Sequence, residues 1–192
     1  MMKWPVLILL STTIYSLIRY ALFAQVAPMH IPVYLLNKSV SMAAAIFLLA
    51  AAWNRAKGNA EKMRFWGAAS FHAALVHVLL SLSILNSAYF PKFFNTDKMN
   101  LTGELSILFG VLAAYCYICI RIGNPARKGS GNLQLLSSLF LAGHLIVMGY
   151  AGWRTVSGWP GFLPPISLIS FICAFLSLLL FWSSQKRAAC PC

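Results

Sequence analysis

LQLLSSLFLAGHLIVMGYAGW, residues 133–153, runs for 21 positions without a formally charged side chain. At 1.5 Å per residue, a helix of that length reaches ~30 Å, the thickness of the hydrocarbon layer of a bilayer. In lipid each backbone N–H and C=O must be satisfied within the segment, so the stretch is read as a transmembrane helix. Five further stretches are long and apolar enough for the same reading: 5–26, 33–53, 65–89, 101–120 and 163–182. Trp4, Trp53, Trp66, Trp153 and Trp182 fall at the ends of these segments, and Trp159 lies in the connection after the fifth. Aromatic belts at two membrane–water interfaces account for that placement.

Composition leads to the same class. Of 192 residues, 60% are hydrophobic and 9% charged, and the mean hydropathy is +0.75. A soluble domain carries about 25% charged residues to cover its surface. Fifteen Lys+Arg and three Asp+Glu cannot do so here, which excludes a soluble enzyme, and the high hydrophobicity excludes disorder. The formal net charge of +12 would suggest nucleic acid in a soluble protein. The basic residues instead sit at the ends of apolar runs, with no basic face interleaved with aromatics, so no nucleic-acid partner is expected and the membrane explains them.

Ten Lys and Arg lie on one side: Lys3, Arg55, Lys57, Lys62, Arg64, Arg121, Arg127, Lys128, Lys186 and Arg187. Four lie on the other: Lys38, Lys92, Lys98 and Arg154. The positive-inside rule then places both termini in the cytoplasm. Arg19 interrupts the first segment and no convincing cleavage site follows, so that segment is expected to remain as a helix rather than act as a signal peptide. The fold expected is all-α, one integral membrane bundle of six transmembrane helices over 1–192, with a lipid membrane as its first partner. The connections are short, and none leaves room for a soluble flavin or nucleotide domain.

Charged and histidine side chains at membrane depth are costly unless partnered, and they mark function by default. The set is short: Arg19, His72, His77, Glu104 and His144. His30, Glu61 and Asp97 fall in connections. His77 lies ~18 Å and His144 ~17 Å past the starts of spans that run in the same direction. Two imidazoles at matched depth on two helices are what a haem iron needs for its axial ligands, and bundle cores are where such sites are built. Ala73, Ala74, Ser81, Ala142 and Gly143 are small neighbours that leave space for a flat macrocycle, although ordinary helix contacts also use small residues. The competing reading is two histidines hydrogen-bonded to serines or carbonyls. His72 is about 140° round the helix from His77 and is expected to be a packed or interfacial residue.

Arg19 and Glu104 lie at comparable height. One reading is a buried ion pair that sets helix register; the other is that Arg19 holds a haem propionate, as Lys92, Lys98 and Arg154 could. Cys116 and Cys119 form a C-x-x-C inside the fourth span and Cys173 lies in the sixth. A redox pair needs an exposed, electropositive setting, so these thiols are read as small packing residues. Cys190 and Cys192 alone make a weak metal or acylation motif. No zinc constellation, phosphate-cradling glycine loop or Ser-His-Asp order is present, and no catalytic side chain is assigned.

Several stretches in order carry a resemblance: Arg64-Phe-Trp-Gly with His77 downstream, Tyr89-Phe-Pro-Lys-Phe-Phe94, Asn100-Leu-Thr-Gly-Glu-Leu-Ser106, Leu133-Gln134 with His144 inside the span, Gly149-Tyr-Ala-Gly-Trp153 and Trp159-Pro-Gly-Phe-Leu-Pro-Pro-Ile-Ser167. From about Arg64 to Trp182 the chain resembles the ferric reductase-like transmembrane domain family of cytochrome b type, in a single-haem, bacterial-like form. The resemblance implies six helices, haem b held by histidines of the third and fifth, iron-centred electron transfer, and residence in a bacterial inner membrane. Two-haem members carry ligand histidines in pairs about thirteen residues apart; here those positions are Arg64 and Gly131, which implies one haem at most, ligated by His77 and His144. With no flavin or nicotinamide domain of its own, such an oxidoreductase subunit would draw electrons from a separate flavoprotein or a quinol. Three other readings compete: a haem-free membrane scaffold or assembly partner, a quinone-linked thiol oxidoreductase, and a small-solute transporter. Membrane depth argues against the thiols, and the absence of a broken helix pair argues against transport.

Overall fold

The structure, a computed structural model, describes residues 3–23, 31–123 and 130–189. Six helices dominate it, each long and apolar enough to cross a membrane, so the chain is a multi-pass integral membrane protein. They are α1 (Lys3–Leu17), continued by a π-helical turn Ile18–Phe23, α2 (Ile31–Ala56), α3 (Ala60–Ser83), α4 (Leu101–Ile122), α5 (Ser130–Trp153) and α6 (Ile166–Ala189). His30, Arg127, Lys128, Cys190 and Cys192 lie outside the described residues.

Local chemistry sets the helix ends, and it moves several of them from the apolar segments expected. Asn59 caps α3, its side-chain oxygen accepting from Lys62 N–H at 3.0 Å, so the helix starts at residue 60, ahead of the charged turn that hydropathy rejects. It also stops sooner, at Ser83: the Asn86 side chain accepts from the N–H groups of Ala88 and Tyr89 and fixes a turn there. Asn100 caps α4 in the same way through Gly103 N–H at 3.0 Å. At the far end α6 continues past Trp182 through Lys186 and Arg187, whose charges suit a helix C-terminus.

α2 is the hub. It packs broadly on α3 and α6 and also carries α1; α6 packs on α5, and α5 on α4. A slight α3–α4 contact completes a ring of five helices, with α1 outside it on α2. Small residues bring the backbones close: Ala43, Ala45, Ala51 and Ala52 of α2 are all buried. Polarity is distributed opposite to a water-soluble fold. Ser70, Ser106, Ser137, Ser138, Ser170 and Ser177 are buried, while Leu7, Leu79, Leu82, Leu108, Val111 and Leu139 are exposed. Lipid tails are as apolar as leucine, so small and hydroxyl-bearing residues take the helix contacts and the large apolar ones face outward.

One end of the bundle carries the only strands among the described residues, a hairpin pairing Phe94 with Met99 and Asn95 with Lys98. It sits over the entry to α4, beside the stacked rings of Phe90 and Phe93, whose centroids are 5.5 Å apart. The same end holds the turn of α1 and the 160–162 segment that leads into α6, which touch each other.

Candidate functional site

His77 lies six residues, ~9 Å, from the end of α3, and His144 lies nine residues, ~14 Å, from the end of α5. Both are therefore in the half of the bundle nearer the hairpin, half-buried. The broad interface of α3 is with α2, and those of α5 are with α4 and α6. The two imidazoles thus stand on helices that share no broad seam.

Each ring is held by a different neighbour through the same nitrogen. His77 Nδ1–H donates to Asn37 Oδ1 on α2 at 2.6 Å, and the Ser81 hydroxyl donates to that same oxygen at 3.2 Å. His144 Nδ1–H donates to the main-chain carbonyl of Ser106 on α4 at 2.7 Å, with the Ser106 hydroxyl at 3.3 Å. In a regular helix that carbonyl also accepts from the N–H of Gly110, and the glycine is what lets the ring in. A Cβ at Gly110 would stand 3.2 Å from His144 Nδ1. With the proton on Nδ1, the lone pair of each ring is on Nε2, the state of a metal-ligating histidine fixed by an outer acceptor.

The chemistry of this donor set can be stated. Among the described residues no three His, Cys, Asp or Glu side chains converge, so a bare metal ion finds no sufficient ligand set. A haem brings four nitrogens of its own and asks the protein for two axial ligands. Two neutral imidazoles with free Nε2 atoms fit that request.

Two lysines stand at the hairpin side of the histidines. Lys38 follows Asn37 directly, and its Nζ lies over the rings of Tyr34 and Phe90 at 5.1 and 5.4 Å. Lys92 Nζ lies 5.3 Å over Phe93 and donates to the carbonyl of Met148, one turn beyond His144. Part of the Lys92 side chain is exposed, yet its ammonium is drawn in among protein atoms. That burial, together with the charge of Lys38, pulls its pKa down to about 8. No ion pair to a carboxylate accompanies either lysine among the described residues. In the sequence Lys38 serves only to set the orientation; its place next to Asn37 becomes meaningful only once α2 is seen against α3.

The other candidates fall elsewhere. Arg19 is buried at 5% exposure in the π-helical turn. Its Nη1 donates to the Leu163 carbonyl, its guanidinium lies 5.7 Å from the Tyr20 ring, and its Nε has no partner. Tyr15 makes a parallel tie, donating to the Pro164 carbonyl at 2.6 Å. Glu104 is exposed in the first turn of α4, where a negative charge suits the helix N-terminus; no ion pair joins it to Arg19, whose Nη1 donates to the Leu163 carbonyl instead. His72 is exposed, edge-on to Phe71 at 5.5 Å. Cys116 and Cys173 are buried free thiols and Cys119 is half-buried. Lys98 and Arg154 are exposed, Arg154 over Tyr150 at 5.7 Å. The chain matches no protein-family model and none of the curated proteins.

Proposed function

We propose that the chain is a haem b-binding membrane subunit that passes electrons from a separate flavoprotein or quinol to an acceptor at the other membrane face. His77 and His144 would be the axial ligands of a single haem. The carrying observation is that both imidazoles have Nδ1 committed to an acceptor on a neighbouring helix, Asn37 Oδ1 and Ser106 O, which leaves both Nε2 lone pairs free. A bound haem would supply the one-electron couple; the protein supplies ligation, orientation and a water-poor surround. Lys38 and Lys92 offer cations on the hairpin side for the propionates, and Arg19 is a third candidate, separated from the histidines by its tie to Leu163. The Lys/Arg asymmetry supports an orientation with the hairpin end outward and the termini in the cytoplasm.

The experiment is an absorption spectrum of the purified, detergent-solubilised protein, oxidised and dithionite-reduced. A low-spin, bis-histidine spectrum that disappears in both His77→Ala and His144→Ala is the expected result. A wild-type protein with no haem absorbance after expression with ample haem supply would overturn the proposal.

A further inference from the structure

Asn37 is buried to 1% exposure in a helix that also packs on α1 and α6. Its side-chain oxygen receives two donors, His77 Nδ1–H and the Ser81 hydroxyl, while its Nδ2 is buried with no partner at all. A buried amide nitrogen left unpaired costs stability, and such exceptions call for an explanation. Turning the amide over would bring Nδ2 against the imidazole. The ring would then have to accept at Nδ1 and carry its proton on Nε2, where it has no lone pair to offer. The orientation present is the one that keeps Nε2 basic. Ser81, one turn beyond His77 on the same helix, donates to the same oxygen and holds that orientation.

The support of His144 differs: its nearest acceptor is a main-chain carbonyl at 2.7 Å, which no side-chain substitution at residue 106 removes, with the Ser106 hydroxyl a longer contact at 3.3 Å. The two axial candidates therefore have unlike supports, one fixed by backbone and one set by the choice of a single side chain on α2.

We infer that Asn37 is the positioning residue that fixes the His77 tautomer and tunes the electron donation of that ring to a bound haem. This rests on the haem reading above. An amide oxygen gives a moderately basic imidazole. A carboxylate in its place would draw the Nδ1 proton further and make the ring a stronger donor, favouring the oxidised iron. An aliphatic side chain would leave the ring free to change tautomer.

The test uses the full chain in detergent: wild type, Asn37→Asp, Asn37→Leu, and Ser184→Ala as a control, whose hydroxyl bonds the Leu180 carbonyl near the C-terminal end of α6, at the opposite end of the bundle from the hairpin. Each is followed by haem titration, oxidised and reduced spectra, and a potentiometric titration. Haem binding by Asn37→Leu is expected to weaken about 10- to 100-fold. Asn37→Asp is expected to keep its haem and titrate at a lower midpoint, and Ser184→Ala to keep the wild-type midpoint. If Asn37→Leu does not fold, Asn37→Asp decides alone, since it preserves shape and acceptor. Haem-loaded wild type with an unmoved Asn37→Asp midpoint and spectrum overturns the role of Asn37 and leaves the haem reading standing. A wild type that binds no haem overturns both.

Discussion

Gly110→Ala tests the notch that admits His144. The new Cβ would lie 3.2 Å from Nδ1 and 3.5 Å from Cε1 of the ring, closer than an ordinary contact by a few tenths of an ångström. The ring cannot yield that distance freely, because its Nδ1 is held to the Ser106 carbonyl at 2.7 Å on the same face of α4. Overpacking of this kind costs ~1–3 kcal/mol. In the haem-free protein the ring can move aside only by giving up its Ser106 bond, a net loss of ~0.5–1.5 kcal/mol, which the ~1 kcal/mol advantage of alanine over glycine in a helix largely offsets. With haem bound the ring is fixed and the overpacking cost is felt in full. At ~1.4 kcal/mol per factor of ten, haem affinity should fall roughly 5- to 150-fold while haem-free stability stays within ~1 kcal/mol of wild type. Haem titration followed by absorbance, with denaturant unfolding of the haem-free protein alongside, measures both. An affinity within twofold of wild type in a folded variant would refute the notch.

Arg19→Met should leave the haem-free protein as stable as wild type or up to ~2 kcal/mol more stable: burial of the guanidinium costs ~2.5–3.5 kcal/mol, against ~1.5–3 kcal/mol returned by its bond to a carbonyl. A loss above ~1 kcal/mol in denaturant unfolding would mean that an anion compensates Arg19. Lys92 has its folded-state pKa lowered to about 8 by burial, so between about pH 8 and its ordinary value near 10.5 the unfolded chain binds more protons and stability should rise with pH. Lys92→Gln should flatten that rise in unfolding measured across the window, and an unchanged slope counts against the buried ammonium. His72→Ala, at an exposed position, should leave haem content and midpoint unchanged by spectrum and redox titration.

Much of the fold was legible in the sequence because membrane spans are long-range averages and histidines at membrane depth are single conspicuous residues. Six apolar runs gave six helices, and counting residues from the span starts put His77 and His144 in the same half of the bundle, though the helix ends place them ~9 and ~14 Å from the hairpin side rather than at one depth. Helix ends were less legible. Hydropathy reports what lipid tolerates, whereas the start of α3 is set by Asn59 and its stop by Asn86, both polar, and α6 runs on through polar residues that a hydropathy window discards. Neighbour relations were not legible at all. Arg19 and Glu104 share a height, but only the structure shows that no ion pair joins them and that Arg19 donates to the Leu163 carbonyl instead. Asn37, the place of Lys38 beside it and the Ser106–Gly110 notch went unread for the same reason: each is ordinary until the helix opposite it is known.

The ring order also constrains how the protein is made. α2 enters the membrane well before α6, yet α6 is one of its two broad neighbours and the bridge by which α5 is tied back to it. Until α6 is in place, the His77 hairpin α2–α3 and the His144 hairpin α4–α5 are joined by the slight α3–α4 contact, the Ser70–Tyr117 hydroxyl pair and the bond from Arg55 to Gln134. During synthesis the two halves are thus hairpins without the broad interfaces that α6 supplies, each inserted with one imidazole. On the haem reading proposed above, a cofactor arriving before α6 would meet one imidazole at a time, and stable loading should await the helix that draws the second hairpin against the first.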